Sequence, residues 1–162
     1  MQLGFGAGII AVFFFHVSLD ANLHFSYPVT KDLKIEHLLN IGATGAQGYS
    51  YANQRFSTTV VLPLYRQAEI RLGFGAQTET HKGYSKSGRY NYVADSLGLE
   101  TGFHYNWEIE KLHIQIRALS IFLPLVFLKR EESRFGDYAK HFYDTPRFPT
   151  VDLLNFSLVI PL

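Results

Sequence analysis

The segment that most constrains the fold is 96–107, which reads SLGLETGFHYNW. Its odd-numbered positions, from Leu97 to Trp107, are mostly large and apolar, whereas its even-numbered positions are small or polar. Successive side chains of a β-strand point to opposite faces, so this alternation predicts a strand with one apolar and one polar face. A fold built from such strands needs an apolar environment on one side and a crowded, polar environment on the other.

Seven further stretches show the same alternation, which gives eight predicted strands. They fall at about 2–16, 22–29, 33–45, 55–66, 69–80, 96–107, 111–126 and 151–162. Connections at about 30–32, 67–68 and 108–110 are short; those at about 46–54, 81–95 and 127–150 are long, with a shorter one near 17–21. We therefore predict an all-β fold: an eight-stranded antiparallel up-and-down transmembrane β-barrel, with short periplasmic turns and longer extracellular loops, in a single domain over 1–162.

The composition narrows the class of partner. Charged residues make up 18% of the chain, below the roughly 25% of ordinary soluble domains, and aromatic residues make up 15%. The formal net charge of +1 gives no reason to expect nucleic acid as a partner. The chain has no cysteine, which excludes disulfides and thiolate metal sites, and the histidines lack the spacing that specifies a metal. We expect neither a cofactor nor a metal.

A soluble eight-stranded barrel such as a lipocalin is the alternative, and it would turn the apolar face inward. Two features favour the membrane barrel. The polar face is rich in glycine, and a narrow interior that side chains must fill gains room from residues without a side chain. These glycines are at positions 4, 6, 8, 42, 73, 75, 98 and 102. Aromatic residues gather at the ends of the apolar face, Tyr27 and Trp107 at one end and Phe13, Phe15 and Phe56 at the other, as in membrane-barrel girdles.

The pattern of strands resembles the small eight-stranded outer-membrane barrels of the OmpA and OmpX type over essentially the whole chain. The last strand is similar to the C-terminal recognition signal of such proteins, although it ends in Leu162 where that family usually ends in an aromatic residue. The resemblance implies an integral protein of the bacterial outer membrane, in contact with outer-membrane lipid and lipopolysaccharide. It leaves contacts with other outer-membrane proteins open.

Six charged residues share the polar parity and are therefore expected inside the barrel. They are Lys34, Glu36, Glu69, Arg71, Glu100 and Arg117. Counting back from the 108–110 turn predicts that Glu100 pairs with Arg117, because buried ions are tolerated only when paired. Such a network would either plug the bore or act as a gate that exchanges partners to conduct ions.

The upper part of the predicted interior is apolar. The residues expected to line it are Ile10, Val12, Phe14, Leu119, Ile121 and Leu123. They would form a dry packed core or a pocket for an acyl chain that opens toward the outer leaflet. In a third interpretation, strand seven extends past the membrane and presents an apolar surface to a partner protein.

His16, Ser18 and Asp20 lie beside that zone, in the sequence HVSLDANL. The motif is similar to the His-x-Ser of the outer-membrane lipid A deacylases, and this resemblance implies a catalytic role for the three residues. Residues i and i+2 of a flat strand are about 7 Å apart, so a bend would have to bring the pair into hydrogen-bond reach. His37 departs from the pattern, because its parity places it toward lipid.

Two hypotheses for function follow. The first is an integral outer-membrane barrel with a structural, adhesion or accessory-subunit role, its lumen plugged by the charged network. The second is a lipid A-modifying enzyme, an acyl hydrolase or acyltransferase, that uses an apolar pocket in the outer half of the barrel.

Overall fold

Eight antiparallel strands close into a barrel in the computed structural model, which describes residues 1–12, 16–46, 48–84, 88–109, 112–136 and 149–162. Within these ranges no helix is long and apolar enough to cross a membrane. Each strand pairs with its neighbours in sequence, and β1 pairs with β8 to complete the ring. The strands are β1 Gln2–Val12, β2 His16–Pro28, β3 Lys34–Ala46, β4 Tyr49–Tyr65, β5 Ala68–Tyr84, β6 Gly88–Ile109, β7 Leu112–Gly136 and β8 Thr150–Pro161. The predicted fold class is confirmed.

The apolar faces of the strands form the outer wall of the barrel. Leu72, Phe74 and Phe103 are exposed there, whereas Arg71 and Glu100 are fully buried inside. A soluble barrel would show the reverse, because its apolar side chains would fill the interior. The inward-facing alternative is therefore excluded for these strands.

The two ends of the barrel differ. One end, here called the turn end, carries both termini, and the Leu162 N–H donates to the Met1 carbonyl at 3.0 Å. The same end carries the 29–33 turn, in which the N–H groups of Val29 and Thr30 both donate to the Leu33 carbonyl. The opposite end, here called the far end, carries the connections from β1 to β2, β3 to β4, β5 to β6 and β7 to β8.

Several strands extend farther toward the far end than the sequence pattern predicted, whereas β1, predicted to run to position 16, ends at Val12. The predicted connection at 17–21 is strand, because β2 begins at His16. Most of the predicted loop at 81–95 is also strand, since β5 runs to Tyr84 and β6 begins at Gly88, and the predicted loop at 127–150 begins as strand, since β7 runs to Gly136. The apolar part of the outer wall, here called the apolar wall, ends before the far end. Beyond it neither face of a strand needs to be apolar, so these extensions lack the alternation that identifies strands nearer the turn end.

Bulges invert the inside–outside alternation part-way along β7 and β8, and further register shifts of β7 against Gly98 and Ser96 return Val126 and Lys129 to the outer wall. Leu119 in β7 has a φ of 55°, and the register between β6 and β7 shifts at this level, so Ser120 and Phe122 turn inward. In β8, Leu153 and Leu154 are both exposed where the register with β1 shifts, so Asp152 turns inward. An extra residue on one strand moves the side chains that follow it to the opposite face, until another bulge reverses them again.

The glycines of β1 let side chains from β2 and β8 meet across it. Across Gly6, the Ser157 hydroxyl donates to Asn22 Oδ1 at 2.8 Å; across Gly8, Asn155 Nδ2 donates to Asp20 Oδ2 at 2.9 Å. A Cβ on Gly8 would lie 2.7 Å from Asn155 Nδ2. Because these glycines have no side chains, polar residues of β2 and β8 have room to form hydrogen bonds with each other inside the barrel.

Candidate functional site: the barrel interior

A chain of alternating charges crosses the barrel interior. Three guanidinium groups and three carboxylates, one from each of six strands, take part. In order of contact this ionic chain is Asp152, Arg55, Glu100, Arg71, Glu36 and Arg117. Because positive and negative groups alternate, every inner member lies between two opposite charges.

Arg71 is the centre of the ionic chain and is completely buried. Its Nε lies 3.1 Å from Glu36 Oε1, and its Nη2 lies 3.3 Å from Glu100 Oε1. Its Nη1 also donates to the Ser120 hydroxyl at 3.3 Å. An ion with this many partners is held in one orientation, which a single salt bridge would not achieve.

The carboxylates at the two sides of Arg71 bind further guanidinium groups. Glu100 Oε2 lies 3.3 Å from Arg55 Nε, and Arg55 also contacts Asp152. Glu36 Oε1 lies 3.7 Å from Arg117 Nη2, and Arg117 Nη1 donates to Asn22 Oδ1 at 3.3 Å. On the Arg117 side the ionic chain therefore reaches Asn22, one of the polar residues that meet across the β1 glycines, and at the other end Asp152 accepts a hydrogen bond from Asn40.

The predicted pairing of Glu100 with Arg117 is wrong. Ile109 pairs with Leu112 at the turn end, and from that register Arg117 falls opposite His104, while Glu100 falls opposite Phe122. Glu100 instead binds Arg71 of the neighbouring β5 and Arg55 of β4, which reaches it because inward side chains of non-adjacent strands meet across a narrow bore. The remaining two predicted residues, Lys34 and Glu69, form a separate pair at 2.5 Å.

Sequence reasoning missed two members of the ionic chain. Arg55 lies at the boundary that the alternation predicted for the fourth strand, although it shares its parity with Ser57 and Thr59 on the polar face of that strand. Applying the alternation to the first residue of the predicted strand would have found it. Asp152 carried no such signal, because the bulge at Leu153 reverses the parity of β8.

The predicted apolar upper lumen is wrong for β7. Leu119 and Leu123 are exposed on the outer wall and Ile121 is half-exposed, because the bulge at Leu119 turns Ser120 and Phe122 inward instead. On β1, the side chains of Ile10 and Val12 and the whole of Phe14 lie outside the described part of the structure.

At that level the described interior is largely polar. Gln77 Nε2 donates to the Thr150 hydroxyl at 3.0 Å, and both residues are buried. Buried apolar side chains of the interior include Leu38 and Phe122, and the Phe122 ring lies 5.8 Å from the Arg55 guanidinium. The described interior therefore offers no continuous apolar surface to an acyl chain.

Aromatic side chains fill the inside of the far end. His81 lies among three tyrosines: its Nδ1 is 2.9 Å from the Tyr49 hydroxyl, and its ring centroid is 4.7 Å from that of Tyr51 and 5.5 Å from that of Tyr92. These residues lie beyond the apolar wall, level with the outward-facing Thr80 and Lys82. Burial raises the pKa of the Tyr49 phenol, so it stays protonated and is not an activated nucleophile.

The candidate catalytic residues lie at the start of β2 rather than at the end of β1. Ser18 and Asp20 are buried on the inner face, and Asp20 accepts a hydrogen bond from Asn155. The side chain of His16 lies outside the described part of the structure. No three described His, Asp or Glu side chains are placed to hold a metal ion.

His37 faces outward, as its parity predicts, and no register shift occurs in β3. Its Nδ1 lies 2.9 Å from the Thr58 hydroxyl on the neighbouring strand, and its ring is stacked on Phe56 with an interplanar angle of 7°. A polar group on an apolar wall is tolerated when its hydrogen bond is made locally, and Thr58 provides that bond.

No protein-family profile and no curated protein matches the sequence. Solved structures do match. A major outer membrane protein from Thermus thermophilus is 12% identical with a TM-score of 0.58, and the match covers 98% of this chain and 99% of that one. Neisserial surface protein A is 8% identical with a TM-score of 0.53, covering 99% of this chain and 95% of that one. This chain has the fold of the small eight-stranded outer-membrane β-barrels.

A third structure of this outer-membrane barrel fold is Ail, the attachment invasion locus protein of Yersinia pestis. It is 12% identical with a TM-score of 0.50, and the match covers 98% of this chain and 95% of that one. Identities this low carry the fold and no more. The predicted resemblance in architecture is confirmed, and the role of this barrel has to be argued from its own residues.

Proposed function

We propose that this protein is an integral barrel of the bacterial outer membrane whose lumen is closed by the ionic chain and whose far end is an attachment surface. The observation that carries the proposal is the ionic chain itself, which links six of the eight strands across the interior. Because side chains occupy the bore, we assign binding of a partner to the far end of the barrel. In this setting the turn end faces the periplasm and the far end faces outward.

Closure of the lumen follows from the size of the barrel and the cost of separating its ions. An eight-stranded barrel has an interior just wide enough for side chains to fill. Removing one partner of a buried ion pair costs about 3–5 kcal/mol, and Arg55, Arg71 and Glu100 are all fully buried. A passing ion would have to displace several such contacts, so we expect a closed bore rather than a gate.

Attachment is supported by the far ends of β5, β6 and β7, which extend the sheet beyond the apolar wall. Their outward residues include two exposed aromatic side chains, Tyr84 and Phe135, together with the charged residues Lys82, Arg89 and Glu131. Exposed aromatic and charged groups on a rigid sheet are suited to binding a macromolecular partner. Ail, which shares this fold, is named for attachment.

Adherence of a non-adherent bacterial host that displays the protein tests the attachment role. We expect the host to bind cultured epithelial cells, and Tyr84→Ser with Phe135→Ser to remove most of that binding. The control is Tyr65→Ser, because Tyr65 is about as exposed as Phe135 but lies at the turn end of β4. Adherence no better than that of the empty host would contradict the proposal.

Planar-bilayer recording tests the closed lumen. We expect wild-type protein to show no steady conductance, and Glu36→Ala with Glu100→Ala to open a measurable path because both carboxylates that flank Arg71 are lost. A stable open state in the wild-type protein would favour the gate over the plug.

A further inference from the structure

We propose that the outer wall formed by β4, β5, β6 and β7 holds one molecule of lipid A, with an acyl chain in a groove over Ala76 and the phosphorylated sugar on a polar row above it. The inference goes beyond the proposed function but rests on its outer-membrane setting, since lipid A occurs in the outer leaflet. It concerns the outside of the barrel and makes no use of the interior.

The groove follows from one small residue in a row of large ones. Phe56, Ala76, Leu97 and Val126 are direct partners across the four strands, and all four face outward. The alanine leaves a gap between Phe56 and Leu97, and the resulting groove has a volume of about 380 Å³. Its lining is almost entirely apolar and includes Thr58, which is the next outward residue of β4 after Phe56 toward the turn end. A groove of this lining suits a hydrocarbon chain.

The next outward row on the same four strands is polar. Gln54, Thr78, Asp95 and Lys129 are again direct partners, and they supply an amide, a hydroxyl, a carboxylate and an ammonium group. The Thr78 hydroxyl donates to Asp95 Oδ1 at 2.7 Å. A second depression of about 390 Å³ is lined by Gln54, Thr78 and Asp95 of this row and by Leu128, the residue before Lys129, and it shares Phe56 and Ala76 with the first. The apolar groove therefore opens directly onto the polar row.

The position of the groove along β5 assigns it to the outer leaflet. The outward residues of β5 are apolar up to Ala76, and the next ones toward the far end are Thr78, Thr80 and Lys82. Ala76 is therefore the last apolar position before the wall becomes polar. A lipid held here would place its head group beside Thr78 and Lys129 and its chain toward the turn end.

The chemistry of the polar row matches the head group of lipid A. The Lys129 ammonium can pair with a sugar phosphate, and charge-assisted contacts of this kind are stronger than neutral hydrogen bonds. Its present partner is Glu131, at 3.2 Å on an exposed surface, a pair that contributes little and can be exchanged. The Gln54 amide and the Asp95 carboxylate can bind the sugar hydroxyl and amide groups.

Ala21 provides a matched control position. It is also an exposed alanine on the outer wall, in β2, but the next outward residue toward the far end is Leu19, which pairs with Ala43. A chain lying over Ala21 would therefore find no polar row for its head group. Comparing the two alanines separates a built lipid site from general contact with hydrocarbon.

Native mass spectrometry of the full-length protein tests the site, with purified hexa-acylated lipid A as the probe and phosphatidylglycerol as the competing lipid. We expect one lipid A to be retained by wild-type protein, and retention to fall about tenfold in Ala76→Phe, which fills the groove, but not in Ala21→Phe. Lys129→Ala, at an exposed site that does not threaten folding, should lower retention of lipid A more than that of phosphatidylglycerol.

Several outcomes would overturn the proposal. Equal retention by Ala76→Phe, Ala21→Phe and wild-type protein would remove the site, as would equal retention of both lipids. A dimer that is lost only in Ala76→Phe would assign the groove to a second copy of the chain. Because adherence and conductance are measured separately, each of these results would leave the attachment and closed-lumen proposals standing.

Discussion

The ring of Phe122 lies against the backbone of Gly98 inside the barrel. A Cβ added to Gly98 would lie 2.8 Å from Phe122 Cζ and 2.2 Å from the Leu123 carbonyl oxygen. The ring also lies close to Gly75, where a Cβ would be 3.2 Å from Phe122 Cε2. The buried aromatic ring of β7 therefore occupies space that glycines on β5 and β6 leave free.

We predict that Gly98→Ala destabilises the barrel by about 1–3 kcal/mol, because the new methyl group overpacks a fixed ring and the neighbouring backbone. Urea unfolding in lipid vesicles, followed by the fluorescence of Trp107, the only tryptophan, measures the change. Gly45→Ala is the control, since a Cβ at Gly45 would have no neighbour within 4 Å. Equal unfolding midpoints for the two variants would contradict the predicted contact.

A second prediction concerns the buried carboxylate that lies between two arginines. Glu100→Gln should cost about 3–5 kcal/mol, because Arg55 and Arg71 would lose the charge they share inside the barrel. Glu131→Gln, which breaks the exposed pair with Lys129, should cost less than about 1 kcal/mol. The same unfolding measurement compares the two variants. A similar loss from both would mean that the ionic chain does not stabilise the barrel.

The hydrogen bond between His37 and Thr58 on the outer wall makes a third prediction. His37→Leu and Thr58→Val should each leave one polar group without its partner in hydrocarbon, and the double variant should lose less than the sum. We expect a coupling of about 0.5–1.5 kcal/mol in a double-mutant cycle. Strictly additive losses would show that the two side chains act independently.

The buried position of Ser18 makes a fourth prediction, which bears on the enzyme hypothesis. Ser18 is only 1% exposed on the inner face, where lipid cannot reach it. We therefore expect Ser18→Ala and His16→Ala to leave the acylation of lipid A unchanged, as measured by mass spectrometry of lipid A from cells with and without the protein. A change in acyl-chain number that depends on wild-type protein and disappears in either variant would restore the enzyme hypothesis.

The alternation of side chains predicted the faces of the strands because every second residue of such a barrel must be apolar on the outer wall, while the residues between them face the polar interior. It placed Arg71 and Glu100 inside and Phe74 outside, and the structure agrees. It failed at Leu119, because a single inserted residue reverses the parity and this residue is not the glycine that usually marks such a backbone.

The partners of the charged residues could not be predicted for a different reason. The register of neighbouring strands fixes which residues lie side by side, and it places Arg117 beside His104. Apart from the pair of Arg71 and Glu100, the ionic chain instead joins strands that are not neighbours, as when Glu100 of β6 meets Arg55 of β4. Contacts across the bore depend on the curvature of the closed sheet, which no local stretch of sequence carries.

The pairing of β1 with β8 has a consequence for how the protein is made. Gln2 pairs with Pro161, so the two most distant parts of the chain in sequence become adjacent only at closure. Until β8 has been synthesised, β1 has an open edge, and Asn155 cannot reach Asp20 across Gly8. The barrel can therefore close only after β8 has been synthesised, and we expect the open edge of β1 to need protection against aggregation until then.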